Sequence, residues 1–73
     1  MITIELTSPD GNVFCILGYV RRVRNQLKEL GLNTILYDEL LDNYYNMTYD
    51  GIISGVKEIA GDFIRFTRNG KEI

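Results

Sequence analysis

Residues 8–31, SPDGNVFCILGYVRRVRNQLKELG, decide the fold of this 73-residue chain. Ser8 can accept hydrogen bonds from the free N–H groups of a first helical turn. Pro9 suits the first helical position, where its missing donor costs nothing. Asp10 places a carboxylate at the positive end of the helix dipole, and Lys28 a cation near the other end. Gly31 supplies a left-handed closing residue. Together these signals predict one long helix from Ser8 to Gly31. At 3.6 residues per turn, Val13, Ile16, Val20, Val23, Leu27 and Leu30 share one stripe, with Leu17 beside it. That stripe is the expected core face. Arg24 lies at its edge, with its stem buried and its head solvated.

The opposite stripe carries Phe14, Gly18, Arg21 and Asn25, with Arg22 and Glu29 beside it. Glycine inside a helix costs about 1 kcal/mol relative to alanine, so Gly18 next to an outward phenylalanine needs a reason. One reading is close packing against another segment of the same fold. The other is a contact surface: a second subunit or a ligand approaches the backbone at Gly18. Phe14 is then the apolar anchor, and Arg21 and Arg22 are charge-assisted donors.

Upstream, Ile2, Ile4 and Leu6 alternate with Thr3, Glu5 and Thr7, the period of a half-buried strand. Downstream, Asn33 can cap a second helix over residues 34–46. Its Leu36, Tyr37, Leu40, Leu41 and Tyr44 gather on one side, and Asp38, Glu39 and Asp42 on a solvated acidic face. Tyr44 and Tyr45 are adjacent, so one of them belongs to the surface. Thr48 can cap a third helix with Ile52, Ile53, Val56 and Ile59 on its apolar face. Gly51 and Gly55 would let it approach the first helix. Gly61 ends that helix, and residues 62–68, DFIRFTR, form a strand with Ile64 and Phe66 on one face and Phe63, Arg65 and Thr67 on the other. Arg65 can pair across the sheet with Glu5. Residues 69–73 read as a flexible tail. The predicted fold is a single α+β domain over residues 1–68: strand, one long and two short helices, strand, with a two-stranded antiparallel sheet packed on the helices.

Composition narrows the chemistry. There is no histidine, and the single cysteine and scattered carboxylates form no metal-ligand spacing. No His-based triad or His-ligated metal is available, so neither a metal nor a cofactor is expected. Cys15, without a basic partner, reads as a small helix residue. No apolar run approaches the roughly 20 residues of a membrane span. The N-terminus reads as a strand rather than a signal peptide, which leads to an expectation of a cytoplasmic protein. A formal charge of -2 and a dispersed RRVR run disfavour nucleic acid. So small a domain is marginal alone, and no disulfide can staple it. A homo-oligomer is therefore expected.

The run Pro9-Asp10-Gly11-Asn12, then Phe14, Leu17 and Gly18 before a basic helix, and Tyr49 in a short helix leading to Gly61-Asp62-Phe63 and a final strand, resemble a family of very small bacteriophage and prophage accessory proteins. The resemblance spans nearly the whole chain. It implies a phage-encoded protein in the cytoplasm of a host bacterium that captures a nucleotide signal of antiviral defence or inhibits a host enzyme. The residues offer parts for the first role. Gly11 and Asn12 present backbone donors at a helix N-terminus. Arg21, Arg22 and Arg65 present guanidiniums, and Phe14, Tyr19 and Tyr45 present flat rings for stacking. The expectation is thus a non-enzymatic binding protein, with a small anionic ligand held between subunits through Gly11, Asn12, Phe14, Gly18, Tyr19, Arg21, Arg22, Asn25, Tyr45 and Arg65. The alternative is a host protein bound by the Phe14–Gly18–Arg21 stripe or the acidic helix face.

Overall fold

The computed structural model describes residues Met1–Ile73. The elements are β1 (Ile2–Glu5), α1 (Val13–Glu29), α2 (Ile35–Asn43), α3 (Tyr49–Ala60), β2 (Ile64–Arg68) and β3 (Lys71–Glu72), with 3-10 turns at Pro9–Gly11 and Tyr44–Asn46. The fold is α+β as predicted, but the sheet is three-stranded and mixed, in the order β1-β2-β3. β1 and β2 are parallel, with Ile2 opposite Ile64, Ile4 opposite Phe66 and Glu5 opposite Thr67. This corrects the two-stranded antiparallel sheet. Three helical runs separate the strands, and an odd number of runs returns the chain to the end where β1 begins. The Ile2 N–H donates to the Phe63 carbonyl at 2.8 Å there. Parallel neighbours need such a long crossover.

The expected flexible tail is also corrected. Asn69 and Gly70 have φ of 55° and 81°, as a tight two-residue hairpin turn requires of its central pair. The turn folds Lys71–Glu72 back onto β2, antiparallel.

The long helix begins later than expected. Ser8 and Pro9 do start a helical turn, with Ser8 Oγ accepting from the Asp10 N–H, but it is a 3-10 turn that stops at Gly11. Asn12 is extended, and its side-chain oxygen accepts from the Phe14 N–H at 2.8 Å, so Asn12 is the cap of α1. Two capping residues compete in this stretch, and the nearer one starts the helix. The far end is as predicted. Gly31 has a φ of 78°, with Gly31 N–H on Lys28 O and Leu32 N–H on Leu27 O, both at 3.0 Å. This paired bonding closes the last turn of α1. Thr48 caps α3 by accepting from the Gly51 N–H at 3.0 Å.

The core lies between the helices and the inner sheet face. Ile4, Ile64 and Phe66 of the sheet meet Ile16, Leu17, Val20 and Val23 of α1, Tyr37 and Leu40 of α2, and Ile52, Ile53, Val56 and Ala60 of α3. Gly55 approaches α2 rather than the first helix: a Cβ on it would stand 2.9 Å from Leu40 Cδ1.

Candidate functional site: an uncovered apolar surface

The residues expected to form a site on α1 are dispersed. Gly11 is buried in the corner between β1 and α1, where a Cβ would lie 2.1 Å from the Leu6 carbonyl oxygen. Its N–H donates to Ser8 O at 2.9 Å, and its carbonyl accepts from the Tyr49 hydroxyl at 2.5 Å. The Asn12 N–H donates to Pro9 O at 3.1 Å. The donors proposed for an anion at Gly11 and Asn12 are thus engaged within the chain. Arg65 lies on the sheet face turned away from the helices. It stands opposite Thr3 and pairs with Glu72 at 3.0 Å, not with Glu5. Asn25 is exposed and accepts from Arg24 Nε at 2.8 Å.

What remains on the open face of α1 falls into two groups. Phe14, 66 % exposed, meets Tyr44 edge-on at 6.3 Å, and Tyr44 meets Tyr45 edge-on at 5.9 Å. Tyr44 is half-buried and Tyr45 exposed, as the adjacency of the two tyrosines requires. Tyr19 is half-buried, and the Arg22 guanidinium lies 5.4 Å from its ring centroid, a cation–π contact. Arg21 and Arg22 have no carboxylate partner. Nothing approaches within 4 Å of the position a Cβ would take on Gly18. Packing within the fold therefore does not explain that glycine.

Two polar clusters fix the frame. Glu5 gathers the end of β1 and the β2–β3 turn: Oε2 accepts from the Thr7 N–H (2.9 Å), the Thr7 hydroxyl (2.6 Å) and the Asn69 N–H (3.1 Å). Oε1 accepts from the Thr67 hydroxyl (3.1 Å) and the Gly70 N–H (2.7 Å). These bonds, Thr7 foremost, hold the carboxyl at a pKa of about 2, because they stabilise its charged form. On the helical side, Arg24 reaches Asp38 at 2.7 Å and Thr34 donates to the same carboxylate at 3.2 Å. The Arg24 bond leads in holding Asp38 below its usual value. Asp38 is thus a tether between α1 and α2 rather than part of a solvated acidic face. Arg24, expected with a buried stem and a solvated head, is half-buried, and its guanidinium is engaged by Asp38 and Asn25 rather than left to water.

The molecule's most distinctive surface was not among the expected sites. The turn that closes α1 leaves Leu30 and Leu32 more than half exposed, and Ile35 and Leu36 at the start of α2 are equally open. Leu27, Leu32, Ile35, Leu36, Tyr37, Ile59 and Phe63, with Asn33, line a groove of about 470 Å³. It meets a second depression of about 510 Å³ between α2 and α3 at the shared residues Leu36 and Ile59. A smaller apolar groove of about 260 Å³ lies by Phe14, lined by Val13, Tyr44, Tyr45, Met47, Tyr49 and Ile52. Leu30 and Leu36 were expected in the core. The short α2 carries Ile35, Leu36, Tyr37, Leu40 and Leu41 within seven positions. A single helix face cannot bury them all, and this excess was the available signal. The Tyr37 hydroxyl donates to Ile59 O at 3.1 Å, and burial, followed by the charge of Asp62, raises its pKa.

No His, Cys, Asp or Glu group forms a metal-holding cluster, and no helix is long and apolar enough to cross a membrane. No protein-family model, curated protein or solved structure matches the chain.

Proposed function

We propose that this chain is a non-enzymatic binding protein whose partner is another protein. The observation that carries this reading is the exposure of Leu32, Ile35, Leu36 and Phe63 in the lining of the groove of about 470 Å³. Monomeric proteins rarely expose contiguous apolar patches larger than about a few hundred Å², and larger ones commonly mark interaction sites. The groove sits on two tethered helices, since Arg24–Asp38 and Tyr37–Ile59 fix α2 against its neighbours. The resemblance to small phage accessory proteins supplies a setting, in which the partner belongs to the bacterial host. The test is capture from bacterial lysate on the immobilised wild type and on I35E/L36E. A stoichiometric partner held by the wild type and lost by the variant is the expected result. Identical captures contradict the reading.

A second reading keeps the small anionic ligand. Arg21 and Arg22 are unpaired beside Tyr19, and Gly18 leaves their surface open to close approach. A second copy of the chain would complete such a site. Calorimetric titration with cyclic dinucleotides and ADP-ribose derivatives tests it. Saturable heat that R21A/R22A abolishes supports it, and silence removes it for those ligands.

A further inference from the structure

We infer that the depression between α2 and α3 takes a basic amphipathic helix of a partner protein. The inference deepens the protein-binding reading and rests on it. The floor is apolar, made by Leu36, Leu40, Met47 and Ile59, and Glu39 of α2 and Glu58 of α3 also line it. The adjoining groove ends at Phe63, next to Asp62, and neither depression includes a lysine or arginine in its lining.

The charge is regional. Residues 33–63 carry six carboxylates, Asp38, Glu39, Asp42, Asp50, Glu58 and Asp62, against one lysine, Lys57. Only Asp38 has a cation partner within the chain. An apolar trough with unpaired carboxylates on both helices is complementary to a helix with aliphatic anchors at i, i+3/i+4 and i+7 and lysine or arginine on its flanks. Gly55, Glu58 and Ile59 of α3 line the trough over about 6 Å, a little more than one helical turn, and the adjoining groove, which shares Leu36 and Ile59, carries the apolar surface on toward Leu32 and Phe63.

A second copy of this chain is the poorer occupant. Face-to-face pairing would bring Glu39 and Glu58 against their own equivalents, and like charges across an interface oppose association. Head-to-tail pairing with the basic α1 face would be heterologous, giving a ring or a filament according to its rotation, either of which light scattering records as added mass.

The experiment uses the full chain and three synthetic 18-residue peptides: a leucine/lysine amphipathic helix, a scramble of the same composition without an apolar face, and a leucine/glutamate helix. Binding is read by fluorescence anisotropy and by two-dimensional NMR, and light scattering records mass. The expected result is saturable binding of the leucine/lysine helix, with shifts centred on Leu36, Leu40, Met47 and Ile59. The scramble binds at least tenfold more weakly and the acidic helix not at all. E39K/E58K, with unchanged helical signal and melting temperature, weakens the first peptide at least tenfold. No binding, equal binding of the acidic helix, shifts centred on Phe14 and Tyr45, or an unchanged affinity of E39K/E58K would each overturn the inference. So would an oligomer that E39K/E58K dissociates, because the occupant is then a second copy. A lysate partner lost by I35E/L36E alongside silent peptides removes the basic-helix occupant and leaves protein binding standing. Silence in both experiments removes both.

Discussion

At the end of β1, Glu5 accepts hydrogen bonds from Thr7, Thr67, Asn69 and Gly70, and no buried side-chain nitrogen or oxygen in the molecule lacks a partner. On the helical side, Leu30, Leu32, Ile35 and Leu36 face water with nothing covering them. One region satisfies its groups within the chain; the other leaves them unsatisfied. The domain is folded by contacts of the first kind, satisfied within the chain: the Glu5 cluster and the core that α1, α2 and α3 share with the inner sheet face. The second contributes little to folding and leaves apolar area whose burial, at about 25 cal/mol per Å², remains for a partner. The difference separates stability from recognition along one short chain.

Substitutions can break that separation, and their expected effects fall in order. Phe66→Ala empties a fully buried position on β2 and should destabilise the domain by about 4 kcal/mol, measured by urea unfolding. A cost near that of a surface change would mean that the sheet is not the folding core. Gly11→Ala forces a methyl against the Leu6 carbonyl oxygen. It should lose about 2 kcal/mol or more in the same assay, whereas Gly18→Ala, in open space, should gain about 1 kcal/mol.

Glu5→Gln sharpens the comparison through pH. The Glu5 carboxyl titrates at about 2 in the fold against 4.5 for the free group. Its contribution is therefore fully present above pH 4.5 and is lost as pH falls through about 2, because protonation then removes the stabilised charge. The melting temperature of the wild type should approach that of Glu5→Gln across this window. Parallel curves would assign the stability of the turn elsewhere. The smallest effect on folding belongs to I35E/L36E, expected within about 0.5 kcal/mol of wild type, although the pair abolishes partner capture. A large loss of stability there would make the apolar surface part of the core.

Much of the folding framework could be read from the sequence. The alternation of Ile2 and Ile4, the stripe Ile16–Val20–Val23, the left-handed Gly31 and the Thr48 cap are local patterns, and local geometry decides them. The parallel pairing of β1 with β2 is not written in either strand, whose alternation carries no direction; it follows from the odd number of helical runs between them, which the sequence did show and the antiparallel expectation overlooked. Asn69-Gly70 carried a hairpin signal of its own, but a strand of two residues is too short for periodicity to show. The five-bond cluster on Glu5 joins residues more than sixty positions apart, so no local pattern announces it. The candidate surface was legible only as an excess of apolar residues in α2. Which of them stay outside is settled by the tethers Arg24–Asp38 and Tyr37–Ile59. The expected site scattered because two of its parts lie off α1: Gly11 is buried in the 3-10 turn and bonded to Ser8 and Tyr49, and Arg65 on β2 pairs with Glu72, partners that helical spacing does not reveal.

The most direct test places a photo-crosslinking amino acid at Leu36, in the open groove, or at Thr3, exposed on the far face of the sheet, in separate samples of the full chain exposed to bacterial lysate. Recognition through the apolar surface predicts one discrete protein adduct from position 36 and none from position 3. Adducts of the same protein in equal yield from both positions, or none from position 36, would contradict it.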